Sequence, residues 1–171
     1  MRTSALIMAL LGLAASVAPA TAQLDSKASR KTLGGLPGFF VAVEEMDTAA
    51  ARAGVTAATI QADVESKLRA AGIKLYSQDD FKNILEVPQL YINVNEFALH
   101  GEQKGLFTYN ASAEVRQAIK LSRDPSIGST SVTWRAPATV GTVGSNNFSE
   151  AVRDVVSEQV DLLITALRDV N

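Results

Sequence analysis

The sequence predicts an α+β protein, a two-layer sandwich in which two main helices cover one face of a mixed five-stranded sheet. Three observations predict this class. Apolar and polar residues alternate with a period of two in the strand segments, and apolar residues recur at helical spacing in two longer segments. The predicted order is strand, helix, four strands, helix, and its first strand–helix–strand unit implies a parallel pair joined by a right-handed crossover. Both helices need an apolar surface, and one face of the sheet supplies it.

The first 22 of the 171 residues have the features of a cleavable secretory signal peptide. Arg2 precedes an apolar run over residues 5–17, and Pro19 and a small-x-small site ending at Ala22 follow. The run is shorter than the roughly 20 residues that a membrane-spanning helix needs. We therefore expect cleavage after Ala22, with no stable membrane insertion afterwards. The short, alanine-rich signal is typical of bacteria, so we expect a periplasmic or secreted protein.

The remaining chain predicts a flexible leader over residues 23–36 and a single α+β domain over residues 37–171. The leader is polar and ends in a cluster of glycine and proline. The chain has no cysteine, which excludes disulfides and attachment of lipid to a cysteine. Its 16 Lys and Arg against 18 Asp and Glu form no basic patch, so the sequence gives no support to nucleic-acid binding.

In the first half of the domain, helical spacing and breaker residues define the elements. Thr56 is a suitable N-cap, Ile60, Val64 and Leu68 form one apolar stripe, and Gly72 is placed to end the helix. In order we predict a strand over 39–46, a loop or short turn over 47–54, a helix over 57–71, a strand over 73–76, a helical turn or two over 79–85 and a strand over 90–95.

The second half is dominated by period-two alternation. In the long strand the apolar residues occupy one face, from Phe107 to Leu121, and Trp134 and Val132 are predicted to face inward from the next strand. Asn147 and Glu150 resemble a capping box at the start of the last helix. In order we predict a hairpin loop over 101–105, a strand over 107–121, a turn over 123–128, a strand over 129–135, an irregular connection over 136–146 and a helix over 147–169.

Several of these features carry a resemblance to a known group of proteins. They are the strand over 39–46, the helix end Leu68-Arg69-Ala70-Ala71-Gly72, the strand over 73–76 and the hairpin over 90–120. The region resembles the small periplasmic α+β module found at the N-terminus of TolB-like proteins and in CsgG-like and LpoB-like proteins. The resemblance implies a module that makes protein–protein contacts in the cell envelope and has no catalytic residues.

A search for reactive groups identifies no catalytic residue, metal site or cofactor motif. His100 is the only histidine, so a hydrolase triad or a zinc site lacks partners for it. No glycine-rich phosphate-binding motif is present. The neighbouring acids Glu44 and Glu45 would point to opposite faces of a strand, and Asp79-Asp80 suits the N-terminus of a short helix. We therefore predict that the protein is not an enzyme.

Two hypotheses for function remain. In the first, the protein is an envelope module that binds another protein or itself through the uncovered, polar face of the sheet. The candidate residues on that face are Thr108, Asn110, Ser112, Glu114, Arg116, Thr133 and Arg135. In the second, it is a small-ligand carrier or an atypical hydrolase, with a pocket between sheet and helices lined by Tyr76, Tyr91, Tyr109 or Trp134.

Overall fold

A computed structural model describes residues 25–84 and 86–171 of the chain, so the predicted signal peptide and its cleavage site lie outside the described residues. The α+β class and the mixed five-stranded sheet are confirmed. In chain order the elements are α1 (Lys27–Lys31), β1 (Phe40–Val43), α2 (Thr48–Arg52), α3 (Ala57–Ala70), α4 (Gln78–Asn83), β2 (Gln89–Ala98), β3 (Leu106–Leu121), β4 (Asp124–Arg135), β5 (Thr139–Gly144) and α5 (Phe148–Arg168).

The sheet is organised around β3. β1 pairs with β2 in parallel, β2 pairs with β3 antiparallel, and the other edge of β3 is shared by two antiparallel strands. β4 takes the second half of that edge, from Glu114 onward, and β5 takes the first half, up to Ala111. The two main helices, α3 and α5, pack against each other and cover one face, as predicted.

Helix α3 agrees closely with the prediction. The Thr56 hydroxyl accepts a hydrogen bond from the backbone N–H of Thr59, and the apolar stripe of the helix is buried. Gly72 follows the helix with a φ of +77°, a conformation that glycine adopts without a steric penalty. Residues 47–54, predicted as a loop or turn, instead contain the short helix α2, because the Asp47 carboxylate accepts two hydrogen bonds from its first turn.

The predicted strand over residues 73–76 is wrong: it is reduced to a single parallel bridge between Leu75 and Phe39. The capping box of Ser77 and Asp80 starts α4 immediately afterwards, which removes the chain from the sheet. β2 is therefore the strand that pairs in parallel with β1.

The predicted irregular connection over residues 136–146 is also wrong, because it contains β5. Gly141 allows β5 to pass beside the buried ring of Tyr109, because a Cβ at this position would lie 2.6 Å from the Tyr109 hydroxyl. The Gln159 amide of α5 donates to the carbonyls of Ala111 and Pro137, which ties the helix to β3 and to the link between β4 and β5.

The hairpin between β3 and β4 is tighter than predicted. Residues 123–128 were expected to form the turn, but Leu121 already pairs with Asp124, which leaves Ser122 and Arg123 as the loop. Ile119 and Leu121, expected on the buried face, are only half-buried. They belong to a stretch, residues 117–131, in which no residue is buried.

The predicted capping box at Asn147 is absent. The Asn147 side chain makes no capping hydrogen bond, because a single 3-10 turn over Ser145–Asn147 precedes α5. The helix itself follows the prediction closely, and its apolar face is buried against the sheet.

Residues 25–36 are not the flexible leader that was predicted. A capping box of Ser26 and Ser29 starts α1, and Leu33 is 0% exposed in the core. Asp25 accepts hydrogen bonds from Arg30 and from the indole Nε1–H of Trp134, at 2.8 and 2.9 Å. The Arg30 guanidinium holds the pKa of Asp25 below its usual range. Trp134 is fully buried, which confirms its predicted place in the core.

Candidate functional site

The face of the sheet opposite α3 and α5 is the candidate site, and we call it the open face. Its side chains form rows, because residues paired across antiparallel strands point to the same side. At the end nearest the β3–β4 hairpin the rows carry charges, and at the other end they do not. From the charged end, the rows are Gln89, Arg116 and Val132; Tyr91, Glu114 and Arg135; Asn93 and Ser112; Asn95, Asn110 and Val140; and Phe97, Thr108 and Thr142.

An ion triad occupies the charged end. The Glu114 carboxylate accepts hydrogen bonds from Arg116 Nε at 2.7 Å and from Arg135 Nε and a terminal nitrogen at 2.9 and 2.6 Å. Glu114 is only 5% exposed, because the two arginine side chains cover it. A carboxylate with so little access to water needs charged donors of this kind.

A second set of contacts extends the triad to β1. The Arg116 guanidinium lies 3.5 Å from the centroid of the Tyr91 ring, a cation–π contact. The Tyr91 hydroxyl and the Asn93 amide both donate hydrogen bonds to Glu44, which follows β1. The bond to the Glu44 carboxylate raises the pKa of Tyr91, since it stabilises the protonated phenol. Side chains from β2, β3 and β4 and from the residue that follows β1 are thus held in one network.

The other end of the open face is uncharged and more exposed. Phe97 and Val140 are 69% and 68% exposed, although both belong to strands. Between them lie Asn110 and a pair of hydroxyls, Thr108 and Thr142, whose oxygens are 3.0 Å apart. Amide and hydroxyl groups beside a large exposed aromatic ring are typical of protein contact surfaces.

One short helix limits the open face on the β1 side. Phe81 of α4 stacks on Phe40 of β1, with ring centroids 4.5 Å apart. The two main helices cover one face as predicted, but this third helix packs against the opposite side of the sheet.

The structure places six of the seven predicted site residues on the open face. Thr133 is the exception, because a β-bulge shifts the register between Val115 and Arg116. The Thr133 hydroxyl accepts a hydrogen bond from Gln117, whose amide also donates to the Thr32 carbonyl beside α1. Val132, predicted to face inward, takes the place of Thr133 on the open face. Glu114, predicted to be wet, is buried by its two arginines.

Sequence reasoning missed several members of the open face: Glu44, Tyr91, Asn93, Asn95, Phe97 and Val140. A signal existed for three of them, since Tyr91, Asn93 and Asn95 alternate with buried residues of β2. Assigning them to the same face as the polar residues of β3 required the pairing of the two strands. Val140 was missed because its segment was interpreted as irregular.

The four aromatic residues proposed to line a ligand pocket do not converge. Tyr109 and Trp134 are buried on the helix side of the sheet, and Tyr91 lies on the open face. Tyr76 lies beyond the sheet, and its ring centroid is 4.4 Å from Lys74 Nζ. The space between α3 and α5 near Ile60 is a cavity of about 30 Å³, room for a single water molecule.

A larger groove of about 780 Å³ lies on the outer surface between α3 and α5, but both of its basic side chains already have acidic partners. Arg153 binds Asp63, at 2.6 Å, and Lys67 binds Asp161 and Ser157. These ion pairs join the two helices, and we assign the groove no binding role.

The candidate reactive residues are dispersed. His100 is exposed beside the 3-10 turn of the hairpin loop, and Asp79 and Asp80 lie in the first turn of α4, as predicted. Hydrogen bonds from Ser77 lower the pKa of Asp80. Among the described residues, no group of three or more His, Cys, Asp or Glu is placed to hold a metal ion.

None of the described helices combines the length and the apolar composition that crossing a bilayer requires.

Comparisons with known proteins give no family assignment. No protein-family model and no curated protein matches the chain. Among solved structures, the chain is similar to a dodecamer of a PelC variant from Paraburkholderia phytofirmans, at 17% identity and a TM-score of 0.45. The match covers 76% of this chain and 91% of that one. A likeness at this level supports no functional argument, and the resemblance to the TolB, CsgG and LpoB modules stays a prediction.

Proposed function

We propose that the protein is an exported, non-catalytic module of the cell envelope that binds a different protein through its open face. The single observation that carries the proposal is the pre-ordered network from Glu44 to Arg135, set beside an exposed phenylalanine on the same surface. An ordered polar surface loses little side-chain entropy on binding, which favours association.

The charges of the open face indicate the kind of partner. Arg116 and Arg135 are both engaged by Glu114, and Glu44 is the remaining acid of the network. The positive and negative charges of the network therefore cancel. We infer that the partner offers an uncharged surface, with an apolar pocket for Phe97 and hydrogen-bonding groups for Asn95 and Asn110.

Site-specific crosslinking in the native cells tests the contact. A photoreactive amino acid in place of Asn110 should give one discrete adduct with a partner of another sequence, whereas the same group in place of Glu158, exposed on α5, should not. Phe97→Glu should reduce the adduct at least about tenfold, because a charge would enter an apolar pocket. Leu162→Glu is the matched control, since Leu162 is an exposed apolar residue of α5.

Three results would refute the contact: no adduct from position 110, an adduct that persists in Phe97→Glu, or an adduct with twice the mass of this chain. Export is tested separately by the mass of the purified protein, which should correspond to a chain beginning at Gln23. An uncleaved N-terminus would refute export in the proposed form.

A further inference from the structure

Between Pro125 at its start and the β-bulge at Thr133, the outer edge of β4 lacks the features that usually protect an edge strand. Within the described residues, β4 pairs only with β3, so its other row of backbone N–H and C=O groups faces outward. Residues 126–134 contain no charged side chain and no proline. Natural edge strands are normally blunted by lysine, proline or inward charges, because a bare edge is a template for another strand.

The outer half of the hairpin also lacks support from the rest of the domain. None of residues 117–131 is buried, and Ile127 is 42% exposed. Residues 117–120 of β3 lie beyond the end of β2 and pair only with residues 128–131 of β4, so this part of the sheet is a two-stranded ribbon. A two-stranded ribbon is marginally stable in water, and three or more strands are needed for independent stability.

The residues that flank the uncharged run indicate what pairs with it. Arg123 and Asp124 precede the run, and Arg135, which also binds Glu114 of its own chain, follows it. A second copy of the same strand, laid antiparallel, brings Arg135 of each copy beside Asp124 of the other and places no like charges opposite each other. A parallel arrangement would place like charges together.

We propose that two copies of this chain pair antiparallel along the outer edges of their β4 strands, with Thr130 of each copy opposite Thr130 of the other. Thr130 is the midpoint of the uncharged run. In this register Ser129 lies opposite Ser131 of the other copy, and Gly128 lies opposite Val132. Hydroxyl groups meet hydroxyl groups, and the glycine leaves room for the β-branched side chain.

The pairing has a consequence for the open face. The two-fold axis of an antiparallel pair is perpendicular to the sheet, so both open faces lie on the same side. One dimer would then present two copies of the surface in the proposed function. The dimer itself rests on the edge of β4, so it is tested independently of that function.

A charge-swap experiment on the purified protein tests the pairing. Sedimentation should show a dimer for the native sequence. Thr130→Lys and Thr130→Glu should each weaken it at least about tenfold, since like charges are then directly opposed. Mixing the two variants should restore a heterodimer, an outcome that misfolding cannot produce. Thr165→Lys, an exposed threonine of α5, should leave the dimer unchanged.

Cysteine substitution tests the register, because the native chain has no cysteine. Thr130→Cys should form a disulfide-linked dimer under mild oxidation, and Thr165→Cys should not. The proposal is overturned if the native protein is a monomer at all concentrations, in which case the edge is solvated or accepts a different strand. It is equally overturned if the dimer survives Thr130→Lys, or if Thr130→Cys fails to crosslink, because another surface then forms the dimer.

Discussion

Two neighbouring residues of β3, Glu114 and Val115, are both buried, yet they lie on opposite faces of the sheet and are buried for different reasons. Val115 lies under the helical layer, opposite Trp134. Glu114 lies on the open face, where no helix covers it and its own arginine partners exclude water. The covered face is stabilised by removal of apolar surface, whereas the open face is ordered by pairing of charges.

In the proposed function, this difference separates stability from recognition within one sheet. Shortening a buried side chain on the covered face lowers the free energy of unfolding, because a cavity remains. On the open face, Arg116 and Arg135 keep 33% and 36% of their side-chain surface exposed, so loss of one of these ion pairs should cost the fold less than a cavity on the covered face. The open face is therefore the surface on which substitutions are expected to cost the fold least.

The largest effect is expected on the covered face, from Trp134→Ala. The substitution removes a fully buried indole and its hydrogen bond to Asp25, and should lower the free energy of unfolding by about 3–5 kcal/mol. Trp134 is the only tryptophan, so urea unfolding should be followed by circular dichroism. Trp134→Phe, which keeps most of the packing, should lose less. A loss below about 1 kcal/mol would show that β4 and α1 lie outside the cooperative core.

Gly141→Ala should have the next largest effect. It should lower the free energy of unfolding by about 1–3 kcal/mol, because the added Cβ would lie within 3 Å of the Tyr109 ring. Tyr109→Leu in the same chain should recover part of the loss by making room. On the open face, Thr142→Ala, one residue later, should change stability by less than about 0.5 kcal/mol. Equal losses at positions 141 and 142 would contradict the assignment of the two faces.

Arg135→Ala should lower the free energy of unfolding by about 1–2 kcal/mol, because Glu114 then keeps only one of its two arginine partners. The loss is limited because Arg135 is partly exposed to water in the native protein. Adding Glu114→Gln to Arg135→Ala should recover part of the loss, since the buried charge is then gone. A double-mutant cycle of urea unfolding measures the coupling. Purely additive losses would show that the triad contributes no ordering.

The smallest effect concerns the pH dependence of Glu96, an acid on the covered face. Burial raises the pKa of Glu96 above its ordinary value, although the carboxylate accepts a hydrogen bond from the Asp47 N–H. A raised pKa in the folded state stabilises the protein at low pH, and this stabilisation is lost as the pH rises through the folded-state pKa. Glu96→Gln should therefore gain stability relative to the native protein as the pH is raised above about 4, the ordinary pKa of a glutamate. A pH-independent difference would contradict burial as the cause.

Local periodicity was sufficient for the elements that bury one continuous side. The stripe of α3, the apolar face of α5 and the alternation in β3 are set by nearest neighbours in sequence, so they were predictable. The burial of Trp134 follows from the same alternation. These elements fix the α+β class and the side on which the main helices lie.

The sequence-based predictions are wrong where contacts with residues distant in the sequence determine the local structure. Residues 73–76 and 139–144 both have strand composition, but α4 interrupts the first and the free edge of β3 accepts the second. The bulge at Thr133 is invisible in a perfectly alternating segment, because it exists only relative to β3. The burial of Leu33 depends on a core that the polar leader sequence does not indicate.

The position of α5 in the chain has a consequence for biosynthesis. Nine residues of this helix are buried, and Asp169 and Asn171 beyond it bind Arg30 and Gly35 near the start of the domain. All five strands are therefore translated before the helix that shields their apolar side has emerged from the ribosome. Until then α3 is the only main helix available to cover the nascent sheet, so in the proposed export the chain would reach the membrane before its core could be completed.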